Sequence, residues 1–365
     1  MGMRTPLLRA LPALLLLALP EVAAAQCAWP IKASRETLNV AFPDTASTYW
    51  SYRYKLEPGE ELLVEGVPIQ GRYFSLNTYS YFGENLDGIS DAELPVSGSP
   101  TASTRWQVVV RAGVAPGSAP GTLAASSGGD ATGQGVLIYR VYVPDPGADA
   151  QGGVPLPTVS LRREGHNSTL PVCPQPSGSW LVEAFVWLFG PGATETVRPQ
   201  PVFLRPVSAE GFFPNRDNKY LAALTQWKPG RVAVVQGRLP TVPAQLRYWS
   251  LCSNEYRKPY PVVDCLYDAQ VRADAQGYYT VVVSTAQDRP ATARRDTGIN
   301  WLPWGDVDQT NVLLVRNMLP TADFPHSIQA VRPGTTGQRE MGEYYPRIWY
   351  CDRERFDQLG PANCR

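Results

Sequence analysis

Two arginines set in otherwise apolar runs carry the most chemistry in this sequence: Arg140, ending Val136-Leu137-Ile138-Tyr139-Arg140, and Arg316, ending Val312-Leu313-Leu314-Val315-Arg316. Alternate residues of a strand share a face. Arg140 therefore lies with Val136, Ile138 and Tyr142, and Arg316 with Val312, Leu314 and Met318. A guanidinium on an apolar face needs a partner, since an unpaired buried charge costs several kcal/mol. Asp91 and Asp264, each downstream of an Arg-Tyr-aromatic-Ser-Leu run, are the expected partners. Such pairs have two uses: to hold an anion or polar ligand in the mouth of a sandwich, or to fix the register of its strands. The presence of both arginines, although the loops around them differ, favours the structural use.

Other residues point to recognition. Arg72 and Arg247 each precede two aromatics, Tyr73-Phe74 and Tyr248-Trp249. That is a ledge on which a sugar ring stacks, or else a strand with ordinary alternating burial. Trp301 and Trp304, with Asp306 and Asp308 and with Tyr344, Tyr345, Trp349 and Tyr350, gather aromatics and acids late in the chain. Exposed clusters of this kind mark binding surfaces, although the ends of a proline-rich sandwich bury the same residue types. Asp306-x-Asp308, and Asp145 with Asp149, offer oxygens of the sort Ca²⁺ takes. Neither fits an EF-hand loop, so solvated turns are the simpler reading, and no metal or cofactor is assigned.

Motifs for catalysis are absent: there is no Gly-x-Ser-x-Gly, His-Glu-x-x-His, phosphate-binding loop or Rossmann glycine pattern. Of the two histidines, His166 sits in a polar stretch beside Asn167-Ser168-Thr169, and His326 lies near Asp323 and Ser327. Hydrolysis by paired carboxylates needs two acids about 5 to 10 Å apart. It would draw on Asp44, Asp91, Asp264 or Asp306.

The scaffold behind these residues is an internal duplication. Phe42-Pro43-Asp44, Tyr49, Pro58-Gly59, Val64 and Gly66 recur as Phe213-Pro214-Asn215, Tyr220, Pro229-Gly230, Val235 and Gly237, at a constant offset of 171. Arg72-Tyr73-Phe74-Ser75-Leu76 then recurs as Arg247-Tyr248-Trp249-Ser250-Leu251, at an offset of 175. Short runs rich in Val, Tyr, Trp and Leu, bounded by turn residues, predict strands over 61–67, 72–79, 106–111 and 136–143 and over 231–236, 246–252, 278–284 and 311–319. With 35 prolines and 31 glycines between short strands, the expected fold is all-β with little helix: two tandem duplicated β-sandwich or jelly-roll-like domains. The expected domains are a first repeat over 26–175, a connecting segment over 176–205 and a second repeat over 206–365. Residues 112–135, rich in Gly, Ala, Ser and Pro, read as a mobile loop whose counterpart, with its two tryptophans, is very different. Residues 352–359 read as one short capped helix.

Residues 1–25 combine Arg4 and Arg9 with an apolar run and small residues up to Ala25, the layout of a secretory signal peptide. The apolar run 180–189 contains Glu183 and is too short to span a bilayer. An exported chain with six cysteines reads as disulfide-bonded. Cys252 with Cys265 and Cys351 with Cys364 close loops of about 14 residues, each worth roughly 3 kcal/mol, which leaves Cys27 with Cys173. Lys plus Arg and Asp plus Glu balance at 33 each, so charge makes no case for nucleic acid or an anionic membrane.

Tyr248-Trp249-Ser250-Leu251, Ala275-Gln276-Gly277-Tyr278-Tyr279-Thr280, Asn300-Trp301-Leu302-Pro303 and Leu314-Val315-Arg316 together resemble the C-terminal β-domain of a family of exported bacterial proteins built from two adjoining domains of unknown function. The likeness covers roughly residues 230–320. It implies a jelly-roll-like fold and export, and no activity. The segment from Cys252 to Cys265 departs from that family's pattern. The expected function is a secreted or periplasmic binding or envelope-associated protein for a glycan or small polar ligand, using Trp301, Trp304, Arg247, Asp264, Arg316 and Asp306. The alternatives are a carbohydrate-active hydrolase with paired carboxylates and a scaffold for protein partners.

Overall fold

The computed structural model describes residues 27–97, 104–128, 130–174, 199–207 and 213–364. The expected signal peptide, the apolar run 180–189 and most of the connecting segment lie outside them. Where polar and apolar residues alternate the chain runs as half-buried strand, as in β2 (Ser47–Leu56), which buries Trp50, Tyr52, Tyr54 and Leu56. Continuous runs become strands covered on both faces, as in β9 (Gly133–Pro144), buried from Gly135 to Tyr142.

Four sheets result. The first orders β1 (Ile31–Ala33), β2, β9, β4 (Gly71–Tyr79) and β5 (Asn85–Ser90). The second orders β11 (His166–Leu170), β10 (Thr158–Arg163), β3 (Glu60–Gly66), β7 (Arg105–Arg111) and β6 (Val96–Ser97), with β8 (Thr122–Ala124) parallel to β7. The third orders β12 (Asn218–Thr225), β18 (Asn311–Pro320), β14 (Leu246–Glu255) and β15 (Val262–Tyr267). The fourth orders β17 (Ile299–Pro303), β16 (Tyr278–Ser284), β13 (Arg231–Arg238) and β19 (Arg347–Asp352). The order β2-β9-β4-β5 reappears as β12-β18-β14-β15, and β3-β7-β8 as β13-β16-β17. The fold is all-β and sandwich-like, with helix confined among the described residues to α1 (Gln338–Met341), α2 (Arg353–Leu359) and short 3₁₀ turns. No helix among them is long and apolar enough to cross a membrane.

One core packs Trp50, Phe74, Trp106 and Tyr139 between the first two sheets, and a second packs Trp249, Tyr279, Trp304 and Phe324 between the last two. A smaller layer on the outer face of the fourth sheet holds Val232, Val234, Val282 and Phe356 of α2. The cap of α2 is Asp352, whose Oδ1 accepts from the backbone N–H of Glu354 and Arg355. Disulfides join Cys27 to Cys173, Cys252 to Cys265 and Cys351 to Cys364.

Residues 112–135 are not a mobile loop. They contain β8, hydrogen-bonded alongside β7 with Leu123, Ala124 and Ala125 buried, and they lead directly into β9. Their small residues reflect close approach: a Cβ on Gly133 would lie 2.7 Å from that of Ala125. Nor is the counterpart different in kind, since β17 adds to β16 in parallel as β8 adds to β7.

Replacing Cys351 and Cys364 together by Ser should lower stability by about 3 kcal/mol, measured by denaturant unfolding. Amide exchange in residues 353–359 should then speed up more than in β14 and β18, because the lost bridge flanks α2 and belongs to neither strand.

Candidate functional site

The first and third sheets meet face to face through Tyr73, Tyr142, Tyr248 and Met318. Around this aromatic seam each half lends a Phe-Pro-Asx segment to the other. Arg316 Nη2 donates to Phe42 O at 2.6 Å, and Arg140 Nη2 donates to Phe213 O at 2.8 Å. Phe42 and Phe213 both hold φ at +56°, the left-handed region that non-glycine residues seldom occupy, so their carbonyls are aimed at a local cost in backbone strain. Tyr248 and Ser250 hydroxyls donate to the Asp44 carboxylate at 2.8 and 2.7 Å, and Arg316 pairs with it at 3.3 Å. In the mirror position Tyr73 meets Asn215 Oδ1 at 3.3 Å and donates to Asp217 Oδ2 at 2.6 Å. The exchange is reciprocal, as at the isologous face of a two-fold dimer, but within one chain.

The expected partners of the buried arginines are corrected by this exchange. Arg316 is paired with Asp44, not Asp264, which sits near the surface against Arg35 at 2.8 Å. Burial opposes the Arg316 charge and Asp44 favours it, with a net upward shift of its pKa. Arg140 is not paired with Asp91: it donates to Asn77 Oδ1 at 2.7 Å and lies against the rings of Tyr49 and Tyr79. Asp91 instead accepts from Arg247 at 2.5 Å, and Asp268 accepts from Arg72 through both oxygens at 2.7 and 2.6 Å. Asp91 directly follows β5 and Asp268 directly follows β15. Asp268, not Asp264, is therefore the duplicate of Asp91. Arg72 and Arg247 clamp the two halves together and form no open sugar ledge.

The aromatic cluster of the second half is likewise dispersed. Trp304 is 2% exposed within the second core, because its segment closes over the end of the sandwich. Trp301 lies in β17, half-buried under Arg289, with its indole N–H donating to Ser284 Oγ at 3.0 Å. Tyr345 is buried and donates to Phe203 O. Asp306 is an exposed turn residue whose Oδ1 accepts from Asp308 N, and Asp149 serves its own turn in the same way. His326 is exposed and stacks on Tyr344. Asp44 lies close to Cys252 and Cys265, but both sulfurs are committed to their disulfide.

What the structure does assemble is a cavity of about 220 Å³ beside the Asp91–Arg247 clamp, walled by Pro68, Ile69, Phe74, Leu94 and Trp106. Asp91 Oδ2 is held by Arg247, whereas Asp91 Oδ1 and the Trp106 indole nitrogen are buried without hydrogen-bond partners. Burial raises the pKa of Asp91, with Arg247 opposing the shift. In the second half the carboxylate has no free oxygen: Asp268 is held by Arg72 and by Trp249 N, while Tyr279, in the place of Trp106, keeps a buried hydroxyl without a partner. Gly66 makes the arrangement possible, since a Cβ there would meet the Trp106 ring at 2.3 Å. A perturbed carboxyl in a cavity is a common mark of function. Sequence reasoning reached Asp91 but missed Trp106 and Asp268. No fixed offset marks the pair, since Arg72 to Arg247 spans 175 residues and Asp91 to Asp268 spans 177.

No protein-family model matches the chain, and no curated protein does. Among solved structures, an uncharacterized protein from Burkholderia cenocepacia aligns over 91% of this chain and 84% of its own at 15% identity with a TM-score of 0.58. A protein from Vibrio parahaemolyticus aligns over 85% and 91% at 15% identity with a TM-score of 0.42. The Burkholderia likeness extends to the fold.

Trp304→Ala should cost about 3 to 5 kcal/mol in denaturant unfolding as a core truncation. Asp44→Asn should cost about 3 kcal/mol by leaving the Arg316 charge without a carboxylate. Mild effects of both would contradict the packing described.

Proposed function

We propose that this chain is an exported, disulfide-stabilised binding protein for a small neutral polar molecule, seated in the cavity between Asp91 and Trp106. The observation that carries this reading is the pair of buried, unpartnered polar atoms in one apolar cavity, an acceptor on Asp91 and a donor on Trp106. Leaving either unmade costs about 1 to 3 kcal/mol, which a ligand carrying a hydroxyl recovers at both atoms. Phe74, Leu94 and Ile69 supply the apolar wall such a ligand needs. At about 220 Å³ the space is below the roughly 300 to 1,000 Å³ of drug-sized sites, so it suits a single sugar ring or a smaller polyol.

Three disulfides support an oxidising compartment, and the signal-like layout of residues 1–25 supports export to periplasm or medium. The domains we propose are those of the duplication: 26–175, 176–205 and 206–365. Binding is favoured over hydrolysis because one carboxylate lines the cavity, whereas paired-carboxylate chemistry needs two. Asp44, Asp264 and Asp306 are committed elsewhere, to Arg316, Arg35 and a turn.

The test is thermal unfolding of the oxidised protein against a panel of monosaccharides and polyols. A ligand at 100 times its dissociation constant adds about 2.7 kcal/mol. Trp106→Phe, which removes the N–H and keeps the ring packing, should weaken binding about tenfold. A panel without any shift, or a shift indifferent to Trp106→Phe, would overturn the reading. Affinity should also fall on acidification, at a higher pH than for an ordinary aspartate, because a ligand hydroxyl donates best to ionised Asp91 and burial raises the pKa of Asp91. A titration of affinity against pH checks this, and Asp91→Asn should flatten the profile.

A further inference from the structure

The cavity beside Asp91 is walled by the first half alone, yet its carboxylate is gripped from the second. Asp91 Oδ1 and Trp106 Nε1 face no partner, while Asp91 Oδ2 accepts from Arg247 Nη2 at 2.5 Å. Arg247 stands near the start of β14 between Leu246 and Tyr248, both fully buried. Its Nε and Nη2 also donate to the Arg72 carbonyl at 2.9 and 2.6 Å, so the guanidinium is fastened to the backbone of β4 while it holds the carboxylate. The donors of a guanidinium form a planar, rigid fork. Fixing Asp91 Oδ2 in this way sets the direction in which Asp91 presents Oδ1.

The two rims separate cohesion from this second role. Arg72 holds Asp268 as Arg247 holds Asp91, but Asp268 also takes the Trp249 N–H, and both its oxygens are engaged within the frame. Of the two arginines, only Arg247 grips a carboxylate that keeps an oxygen free. Charge matters as well as direction. Around Asp91 stand Arg247, Asp217 just before β12 and Tyr139 of β9. Asp217 is itself held by Tyr73 and Arg216, and Glu93, two residues beyond Asp91, by Arg216 and Ser90. Arg247 favours the ionised form of Asp91, against burial and Asp217.

We infer that Arg247 is the positioning residue of the Asp91–Trp106 site: the second half completes a site whose walls all belong to the first, by orienting Asp91 and keeping its free oxygen a hydrogen-bond acceptor. This rests on the reading of that cavity as a binding site for a neutral polar molecule.

Calorimetric titration of glycerol, xylose and glucose into the full oxidised protein tests the assignment. At least one should bind the unaltered chain, and Arg247→Gln should weaken it about tenfold. In that variant the loss of affinity on acidification should also move to higher pH, because the cation that opposes burial at Asp91 is gone. Arg247→Lys should keep the unaltered pH profile while affinity falls about threefold, since the charge stays and the fork does not. Asp268→Asn, which loosens the opposite rim and lies outside the cavity, should leave affinity within about twofold. If Arg247→Gln does not fold, Arg247→Lys against Asp268→Asn carries the comparison. A probe that binds the Arg247 variants as it binds the unaltered chain, an unmoved pH profile in Arg247→Gln, or an equal loss in Asp268→Asn would overturn the positioning role and leave the binding reading standing. Failure of every probe to bind the unaltered chain would overturn that reading and this inference with it.

Discussion

Two buried guanidinium groups organise this molecule, and each is satisfied by main chain from the opposite half. Arg316 takes the carbonyl of Phe42 and Arg140 that of Phe213. Because a buried arginine cannot shed its charge, the halves must dock with their Phe-Pro-Asx segments crossed, or both cores bear an uncompensated cation. The clamps Arg72–Asp268 and Arg247–Asp91 fix the same relation from the rim. Hydrophobic residues could bury as much area at the seam, but they would not require this one docking as the crossed charges do.

Symmetry in the frame makes its departures informative. At equivalent points the first segment presents Asp44 and the second Asn215; one rim carboxylate is saturated by two arginine contacts and a backbone N–H, the other is half open. A duplicated scaffold needs only one copy of each feature for cohesion. The cavity beside Asp91 lies where the first copy lacks a closing contact that the second makes to Asp268.

Much of this frame is legible in the sequence. The runs at 278–284 and 246–252 are strands close to where their Val, Tyr and Trp content puts them, because β-branched and aromatic residues between turn formers leave little alternative. The helix after Asp352 is legible from its cap. Burial is what misleads. Trp301 and Trp304 look like a recognition surface because tryptophan serves interfaces and cores alike, and only the parallel pairing of β17 decides between them. The segment 112–135 looks loose because glycine and alanine serve close packing as well as disorder. The partner of Arg316 lies 272 residues away in the other half, beyond any reading that treats each copy as self-contained.

That separation bears on how the chain reaches its native state. Asp44 is synthesised long before Arg316, so the first half emerges with a carboxylate designed for burial and nothing yet to neutralise it. The contacts that complete it are among the longest-range in the fold, and such topologies close slowly. Until the C-terminal half joins it, the first half leaves Tyr73 and Tyr142 without their partners across the seam, and it depends on that half much as one subunit of an obligate dimer depends on the other.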